Sequence, residues 1–126
     1  MCLDRTVDIT DAVMSHLTVV EHEGEKWYEG WKVFVTVDGD LRSPYRGTQI
    51  YTLGERIVNN QTVKVATRSR LSTYTSGYHC FTNVEDATEY GDKITHVKRV
   101  LFKDITAVGY DAGLLTVVAQ EMIICV

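Results

Sequence analysis

Residues 76–91 read SGYHCFTNVEDATEYG, and this stretch decides the predicted fold. It indicates a glycine turn, a short buried strand and one capped helix. Thr82 and Glu85 have the spacing of a capping box, in which each side chain accepts a backbone N–H near the helix start. Gly91 stands where a helix end favours a left-handed residue. Because a strand-to-helix junction leaves backbone amides free, the stretch fits either an anion site or an ordinary core element.

Strand-like segments flank this stretch on both sides. Lys32–Val37 is rich in β-branched and aromatic residues and ends at Asp38-Gly39, a strong hairpin signal. The other predicted strands are Gln49–Leu53, Thr62–Ala66, Ile94–Phe102, Ile105–Val108 and Leu114–Val126. The tight turns between them leave no room for parallel crossovers.

The remaining segments are less regular. Asp8–Leu17 is weakly helical, with either Thr10 or Asp11 as its cap, while Leu17–Val20 also fits a strand. Thr67–Ser76 is rich in arginine and hydroxyl side chains and predicts a polar loop outside the core. The sequence therefore predicts an α+β fold, mainly an antiparallel sheet of six to eight strands with one or two short helices.

Length and composition are those of one compact domain over residues 1–126. Apolar residues make up 44% and charged residues 24% of the chain, as in ordinary globular proteins. No apolar run approaches the roughly 20 residues that span a membrane. The first residues lack a signal-peptide layout, so we expect a cytoplasmic protein without membrane partners.

Charge and cysteine content exclude further classes. A net charge of −4 argues against a general nucleic-acid binder, which needs a basic field. Cys2, Cys80 and Cys125 are too few and too scattered for a disulfide framework or a zinc knuckle. Cys80 and Cys125 stand in apolar surroundings and are predicted to be small buried hydrophobic residues.

Catalytic signatures are missing from the sequence. It has no phosphate loop, dinucleotide glycine fingerprint, paired-histidine zinc motif or nucleophile elbow. His79 and Cys80 are neighbours, so on one strand they point to opposite faces and cannot form a dyad. His22 between two glutamates predicts a solvated turn rather than a metal site. We therefore expect no catalytic residue, metal or cofactor.

One enzyme class has to be weighed against this expectation. Arg46, the Ser72–Ser76 segment and Glu121 appear in the order of the arginine, serine-threonine-serine and glutamate elements of ADP-ribosyltransferases, which these short patterns resemble. Those enzymes carry their glutamate two residues after a Glu or Gln, on the same face of a strand. Here Gln120 and Glu121 are adjacent and must face opposite sides.

Arginines favour a binding function. They concentrate between residues 42 and 70 in an otherwise acidic chain, at Arg42, Arg46, Arg56, Arg68 and Arg70. Guanidinium groups bind phosphates bidentately and stack on flat rings. Tyr74, Tyr78 and Phe81 follow directly and offer faces for a purine. The alternative is a solvated basic loop beside core aromatic residues.

Several segments of the chain resemble small phage-encoded proteins of unassigned function. They are Gly30–Phe34, Ser43–Gly47, Ser76–Phe81 with the Glu85-Asp86-Ala87 helix, and Val117–Met122. In size, composition and expected ligand chemistry the chain is also similar to anti-defence sponges, with the anti-Thoeris family the nearest. That resemblance implies a homo-oligomer that traps cyclic ADP-ribose isomers or cyclic oligonucleotides.

The leading hypothesis is a non-enzymatic phage protein that sequesters a nucleotide-derived signal in the cytoplasm of an infected bacterium. Sequestration requires binding without turnover, which suits cations and aromatic rings without an activated nucleophile. The candidate ligand-binding residues are Arg46, Arg56, Arg68 and Arg70 for phosphate, Tyr78 and Phe81 for stacking, and His79 and Asn83 for hydrogen bonds. Two alternatives stay open: the transferase reading with Arg46, Ser72 and Glu121, and an inhibitor of a host protein with Trp27, Tyr28 and Trp31 as interface anchors.

Overall fold

The computed structural model describes residues 3–42, 50–59, 63–91 and 95–126. These segments contain two helices, α1 (Asp11–Met14) and α2 (Val84–Tyr90), and eleven strands. The first six strands are β1 (Arg5–Val7), β2 (Thr18–His22), β3 (Glu25–Val37), β4 (Asp40–Arg42), β5 (Ile50–Tyr51) and β6 (Arg56–Val58). The other five are β7 (Lys64–Ala66), β8 (Thr73–Thr75), β9 (Tyr78–Phe81), β10 (Thr95–Asp111) and β11 (Leu114–Ile124).

Nine of these strands form one sheet, and β7 and β8 form a separate ribbon. Every pairing among the described strands is antiparallel. Four strands close on themselves: β3 pairs with β10, β10 with β11, β11 with β9, and β9 with β3 through Trp31 and Phe81. The closed ring leaves β9 without a free edge, in keeping with the burial of all four of its residues.

The β10–β11 hairpin is the longest feature of the molecule. Its turn is Ala112-Gly113, both with positive φ (52° and 79°), the backbone that a tight two-residue hairpin requires. The register shifts between Ile105 and Ala107, next to Asp104 with φ 61°. Such a bulge bends a strand and increases its twist, which lets β10 pair with β3 near its start and with β11 near its end.

The core lies among the long strands. Phe34, Phe102 and Met122 are fully buried in its largest cluster. A second cluster brings Phe81 together with Val33 and with Ala87 of α2, and Tyr90 of the same helix packs against it.

The prediction of a mainly antiparallel sheet is confirmed, and two short helices are present. The expected six to eight strands are too few, because four three-residue strands carry no apolar alternation that would reveal them: β1, β4, β6 and β8. The hairpin at Asp38-Gly39 is confirmed, with φ 52° and 83°. Thr10 caps α1, as one of the two expected caps, by accepting the N–H of Val13 at 3.3 Å.

Three local predictions are wrong. Asn83, not Thr82, caps α2 and accepts the N–H of Asp86 at 2.8 Å. Gly91 has φ −73° and is not left-handed. The segment 67–76 is not wholly a polar loop outside the core, because it contains β8, whose Tyr74 is only 3% exposed. Neither described helix is long and apolar enough to cross a membrane.

Candidate functional site

The two ends of the β10–β11 hairpin carry the main groups of charged side chains. At the open end lies the Trp27 cluster, which consists of Glu25, Trp27, Arg56, Lys103 and Glu121. Arg56 Nε donates to Glu121 Oε1 at 2.7 Å, and Lys103 Nζ donates to Glu25 Oε1 at 2.8 Å. The Arg56 and Lys103 cations also lie 5.4 Å and 4.5 Å from the ring of the buried Trp27.

Charges in the Trp27 cluster are matched. The hydrogen bond from Lys103 lowers the pKa of Glu25, and the hydrogen bond to Glu121 raises the pKa of Arg56. Each ionised group thus favours the charge of its neighbour. The indole Nε1 is the exception, since it is buried without a hydrogen-bond partner.

The turn end of the hairpin carries a different group, the Asp111 corner, which consists of Asp4, Arg68, Glu89, Tyr90 and Asp111. Arg68 lies 3.4 Å from Asp4 Oδ1 and 3.9 Å from Asp111 Oδ1. The other oxygen of Asp4 accepts the N–H of Ala112 at 2.8 Å, which fixes the hairpin turn to the start of the chain. Two further backbone bonds hold the Arg68 loop there: Arg68 N–H to Leu3 at 2.9 Å and Ser69 N–H to Asp4 at 3.3 Å.

Asp111 is the unusual member of this corner. Its side chain is fully buried, and neither carboxylate oxygen accepts a hydrogen bond of ordinary geometry. Burial raises the pKa of Asp111, whereas the nearby Arg68 guanidinium and, to a smaller extent, the Tyr90 hydroxyl lower it. Among the described residues, the ion pair of this buried carboxylate is the 3.9 Å contact with Arg68, which compensates poorly for the water that an ionised group has lost.

Two concavities meet at Arg68. One, of about 330 Å³, is lined by Arg68, Glu89, Tyr90, Asp111, Ala112 and Leu114. The other, of about 430 Å³, is lined by Ala66, Thr67, Arg68 and Arg70. Arg70 has φ 59° within the tight turn between β7 and β8, where its N–H donates to the carbonyl of Thr67 at 2.9 Å. Both volumes are in the range that small-molecule sites occupy.

The predicted phosphate-binding arginines do not all converge. Arg68 and Arg70 line the same concavity, but Arg56 pairs with Ile123 at the far end of β11. Asp111 pairs with Leu114, so the rise per residue of an antiparallel strand puts the two ends about 30 Å apart. Arg56 is therefore part of the Trp27 cluster and not of the corner. Arg46 lies outside the described residues.

The predicted stacking and hydrogen-bonding residues are core residues. Phe81 is 0% exposed and Tyr78 6% exposed, so neither ring offers a face to a ligand. His79 is also buried, with Nε2 3.1 Å from the Tyr74 hydroxyl and Nδ1 3.2 Å from the carbonyl oxygen of Gly77. Asn83 is engaged as the cap of α2, a helix of seven residues, so the expected anion site at the helix start is not supported.

The half-buried Tyr90 is the aromatic residue that lines the corner, and the sequence prediction missed it together with Asp111. Its ring lies 5.1 Å from that of Phe81, centroid to centroid. The predicted stacking residue, Phe81, thus lies in the core, and the ring of Tyr90 packs on it. The spacing of Ala87 and Tyr90 on one helix face was the signal that could have found it.

The residues of the two alternative readings are separated or buried. The Ser72 hydroxyl shares a hydrogen bond of 3.1 Å with Thr6, whereas Glu121 is paired with Arg56. Thr6 aligns with Gly109 and thus with Thr116, so Ser72 and Glu121 lie roughly 17 Å apart along β11. The proposed interface anchor Trp27 is only 1% exposed, and Tyr28 and Trp31 are half-buried.

Burial also accounts for Cys80 and its neighbour Lys32. Cys80 is fully buried, and desolvation raises the pKa of its thiol to about 11, which confirms it as an inert core residue. Desolvation lowers the pKa of Lys32, whose Nζ donates to the carbonyl of His79 at 2.9 Å.

Comparisons of the chain with protein-family models, with curated proteins and with solved structures find no match. In the described part of the chain, no group of three or more His, Cys, Asp or Glu side chains has the arrangement of a metal site. The fold and the corner together define a mainly antiparallel β protein with a small polar concavity at one hairpin turn.

Proposed function

We propose that the protein binds and retains a small nucleotide-derived molecule at the Asp111 corner. The observation that carries this proposal is the position of Arg68, which lines two adjoining concavities, one with Arg70 and one with Tyr90. A guanidinium group recognises phosphate, and an aromatic ring beside it accepts the face of a base.

The weak contacts of Arg68 support a ligand role for its guanidinium group. Its two ion pairs are 3.4 Å and 3.9 Å long, and its side chain is 56% exposed. A charged hydrogen bond is normally 2.7–2.9 Å long, so these donors are left with unused capacity. Arg56, by contrast, is fully engaged by two carboxylates at 2.7 Å and 3.1 Å.

The second concavity suggests where an anionic group of the ligand goes. Among the residues that the structure describes, it is lined by Ala66, Thr67, Arg68 and Arg70, none of which is acidic. Glu89 and Asp111 belong to the other concavity only. A phosphate is therefore favoured next to Arg70, with the base placed towards Tyr90.

The proposal includes the biology that the sequence suggests, a phage protein that traps a signalling nucleotide inside an infected bacterium. It also includes a homo-oligomer, in which a second copy closes the open side of the corner. Light scattering coupled to size-exclusion chromatography, with and without nucleotide, tests the oligomer directly.

The test of binding is retention without turnover. The protein is dialysed against cyclic ADP-ribose isomers, cyclic dinucleotides and mononucleotides, then heat-denatured, and the released molecule is analysed by mass spectrometry. Intact ligand in stoichiometric amount is the expected result. Altered ligand would replace the proposal with an enzyme, and no retention of any nucleotide would reject it.

A further inference from the structure

Asp111 supplies a recognition element that the proposed binding of a phosphate and a ring does not use. Its two carboxylate oxygens are buried side by side and accept no hydrogen bond of ordinary geometry. A buried acceptor without a well-placed donor is destabilising, and a ligand that supplies N–H donors relieves that cost.

The Arg68 side chain beside Asp111 can be displaced by a ligand. The carboxylate lies in a concavity lined also by Arg68 and Tyr90, and its ion pair with Arg68 is 3.9 Å long. Arg68 is 56% exposed and lies 3.4 Å from Asp4 and 3.9 Å from Asp111, farther than in an ordinary charged hydrogen bond, so its guanidinium can leave once another donor takes its place beside the buried carboxylate. A ligand with its own N–H donors can replace it, and the released guanidinium then faces the ligand phosphate.

The geometry of a carboxylate determines the class of ligand. Two parallel acceptors match two adjacent N–H donors, such as the N1–H and the N2 amino group of guanine. Adenine presents one donor and one acceptor at the same edge, and therefore leaves one carboxylate oxygen facing a lone pair. A buried polar group that is left unpaired in this way discriminates strongly between ligands.

We propose that Asp111 makes the site selective for guanine nucleotides, by accepting the N1–H and N2–H donors of the base once Arg68 has turned to the phosphate. The inference rests on the proposed function, because it assigns the base that the same corner binds. Tyr90 supplies the ring face, and the open concavity beside Arg70 takes the phosphate.

The test uses the full chain and isothermal titration calorimetry with two sets of probes. Towards the carboxylate GMP presents two N–H donors, IMP presents one, and AMP presents one donor beside an acceptor; cyclic di-GMP and cyclic di-AMP repeat the comparison with two phosphates. We expect affinity to fall from GMP to IMP to AMP, by at least tenfold overall, and cyclic di-GMP to bind at least tenfold more tightly than cyclic di-AMP.

The matched variant is Asp111→Asn, which keeps the shape but turns one acceptor into a donor. It should weaken GMP binding at least tenfold and leave AMP binding equal or tighter, because a carboxamide matches the adenine edge.

Equal affinity for GMP and AMP, or an adenine preference in the wild type, would overturn the guanine assignment and leave the proposed function standing. Retention of none of the five probes, nor of cyclic ADP-ribose isomers, would reject the proposed function itself. The wild-type series does not depend on how the variant folds.

Discussion

The two ends of the β10–β11 hairpin are built from the same kinds of residues and differ in how those residues are satisfied. Each end has arginine, carboxylates and one large aromatic side chain. In the Trp27 cluster the ion pairs of Arg56 and Lys103 are 2.7–3.1 Å long. In the Asp111 corner Arg68 is 3.4 Å and 3.9 Å from its carboxylates, and Asp111 accepts no hydrogen bond of ordinary geometry.

Under the proposed function, this difference separates a structural role of the Trp27 cluster from a binding role of the Asp111 corner. In the Trp27 cluster the charged groups already bind one another over the buried indole ring, so few donors or acceptors are left for a ligand. Unsatisfied donors and acceptors can still bind a ligand, but they destabilise the ligand-free protein. Such a loss of stability is common at sites that serve function. We therefore expect substitutions in the Trp27 cluster to change stability alone, and substitutions in the Asp111 corner to change binding while stability stays equal or rises.

The largest expected effect is on stability, at the Trp27 cluster. Trp27→Ala removes a 1%-exposed indole and should lower the free energy of unfolding by about 3–5 kcal/mol. Urea unfolding followed by circular dichroism measures the loss. The folded Trp27→Ala protein should bind the nucleotide as tightly as the wild-type protein does. A tenfold change in affinity would show that the two ends are coupled.

Next in size is the loss of binding at the Asp111 corner. Arg68→Ala with Arg70→Ala should weaken retention of the nucleotide at least tenfold, roughly 1.4 kcal/mol, and leave the midpoint of thermal unfolding nearly unchanged. Arg56→Ala is the matched control, since it removes one guanidinium from the other end of the hairpin. If Arg56→Ala reduces retention as much as the double variant, the site is not at this corner.

The sequence predicted the long strands better than the short ones, for a physical reason. β3 and β11 contain runs of β-branched and aromatic residues that fit a buried sheet in any context. β1 and β6 are three residues each, and they are strands because β10 and β11 lie beside them. Pairing with a distant partner leaves no local signal.

The candidate site was predicted in part. Arg68 and Arg70 were found from the chemistry of guanidinium groups, which does not depend on the fold. Phe81 was chosen because it follows them in sequence, but whether a ring is exposed depends on what packs over it, and here Tyr90 does. Asp111 was missed because its proximity to Arg68 arises only when the hairpin turn meets the start of the chain.

A smaller effect is expected from pH at Asp111. Burial raises the pKa of this carboxyl in the folded state, so the folded protein binds more protons than the unfolded chain at pH values above the usual carboxyl range. Stability therefore falls as pH rises through the folded pKa, and is regained on acidification. Asp111→Asn abolishes this dependence and should be the more stable protein at pH 7, by about 1 kcal/mol.

Thermal unfolding from pH 4 to pH 8 checks this prediction. The advantage of Asp111→Asn should be greatest at the alkaline end and shrink towards pH 4. Glu25→Gln is the contrasting variant, because the hydrogen bond from Lys103 lowers the pKa of Glu25, so its replacement should cost most stability at the alkaline end. An advantage that is constant over the whole range would mean that Asp111 is not an ionised buried group.

The smallest effect is that of salt on the Trp27 cluster. Arg56→Met keeps an apolar stem over the indole and removes the charge, whereas Arg56→Ala removes both. Exposed ion pairs are screened at high ionic strength, so the Arg56→Met protein should melt slightly below wild type in dilute buffer and together with it in 1 M NaCl. The Arg56→Ala protein should stay below wild type in both, because lost packing is not screened. If the Arg56→Met protein also melts below wild type in 1 M NaCl, the ion pairs with Glu25 and Glu121 stabilise the fold by more than screened surface electrostatics. The two ends of the hairpin then differ in stability more than their ion-pair distances indicate.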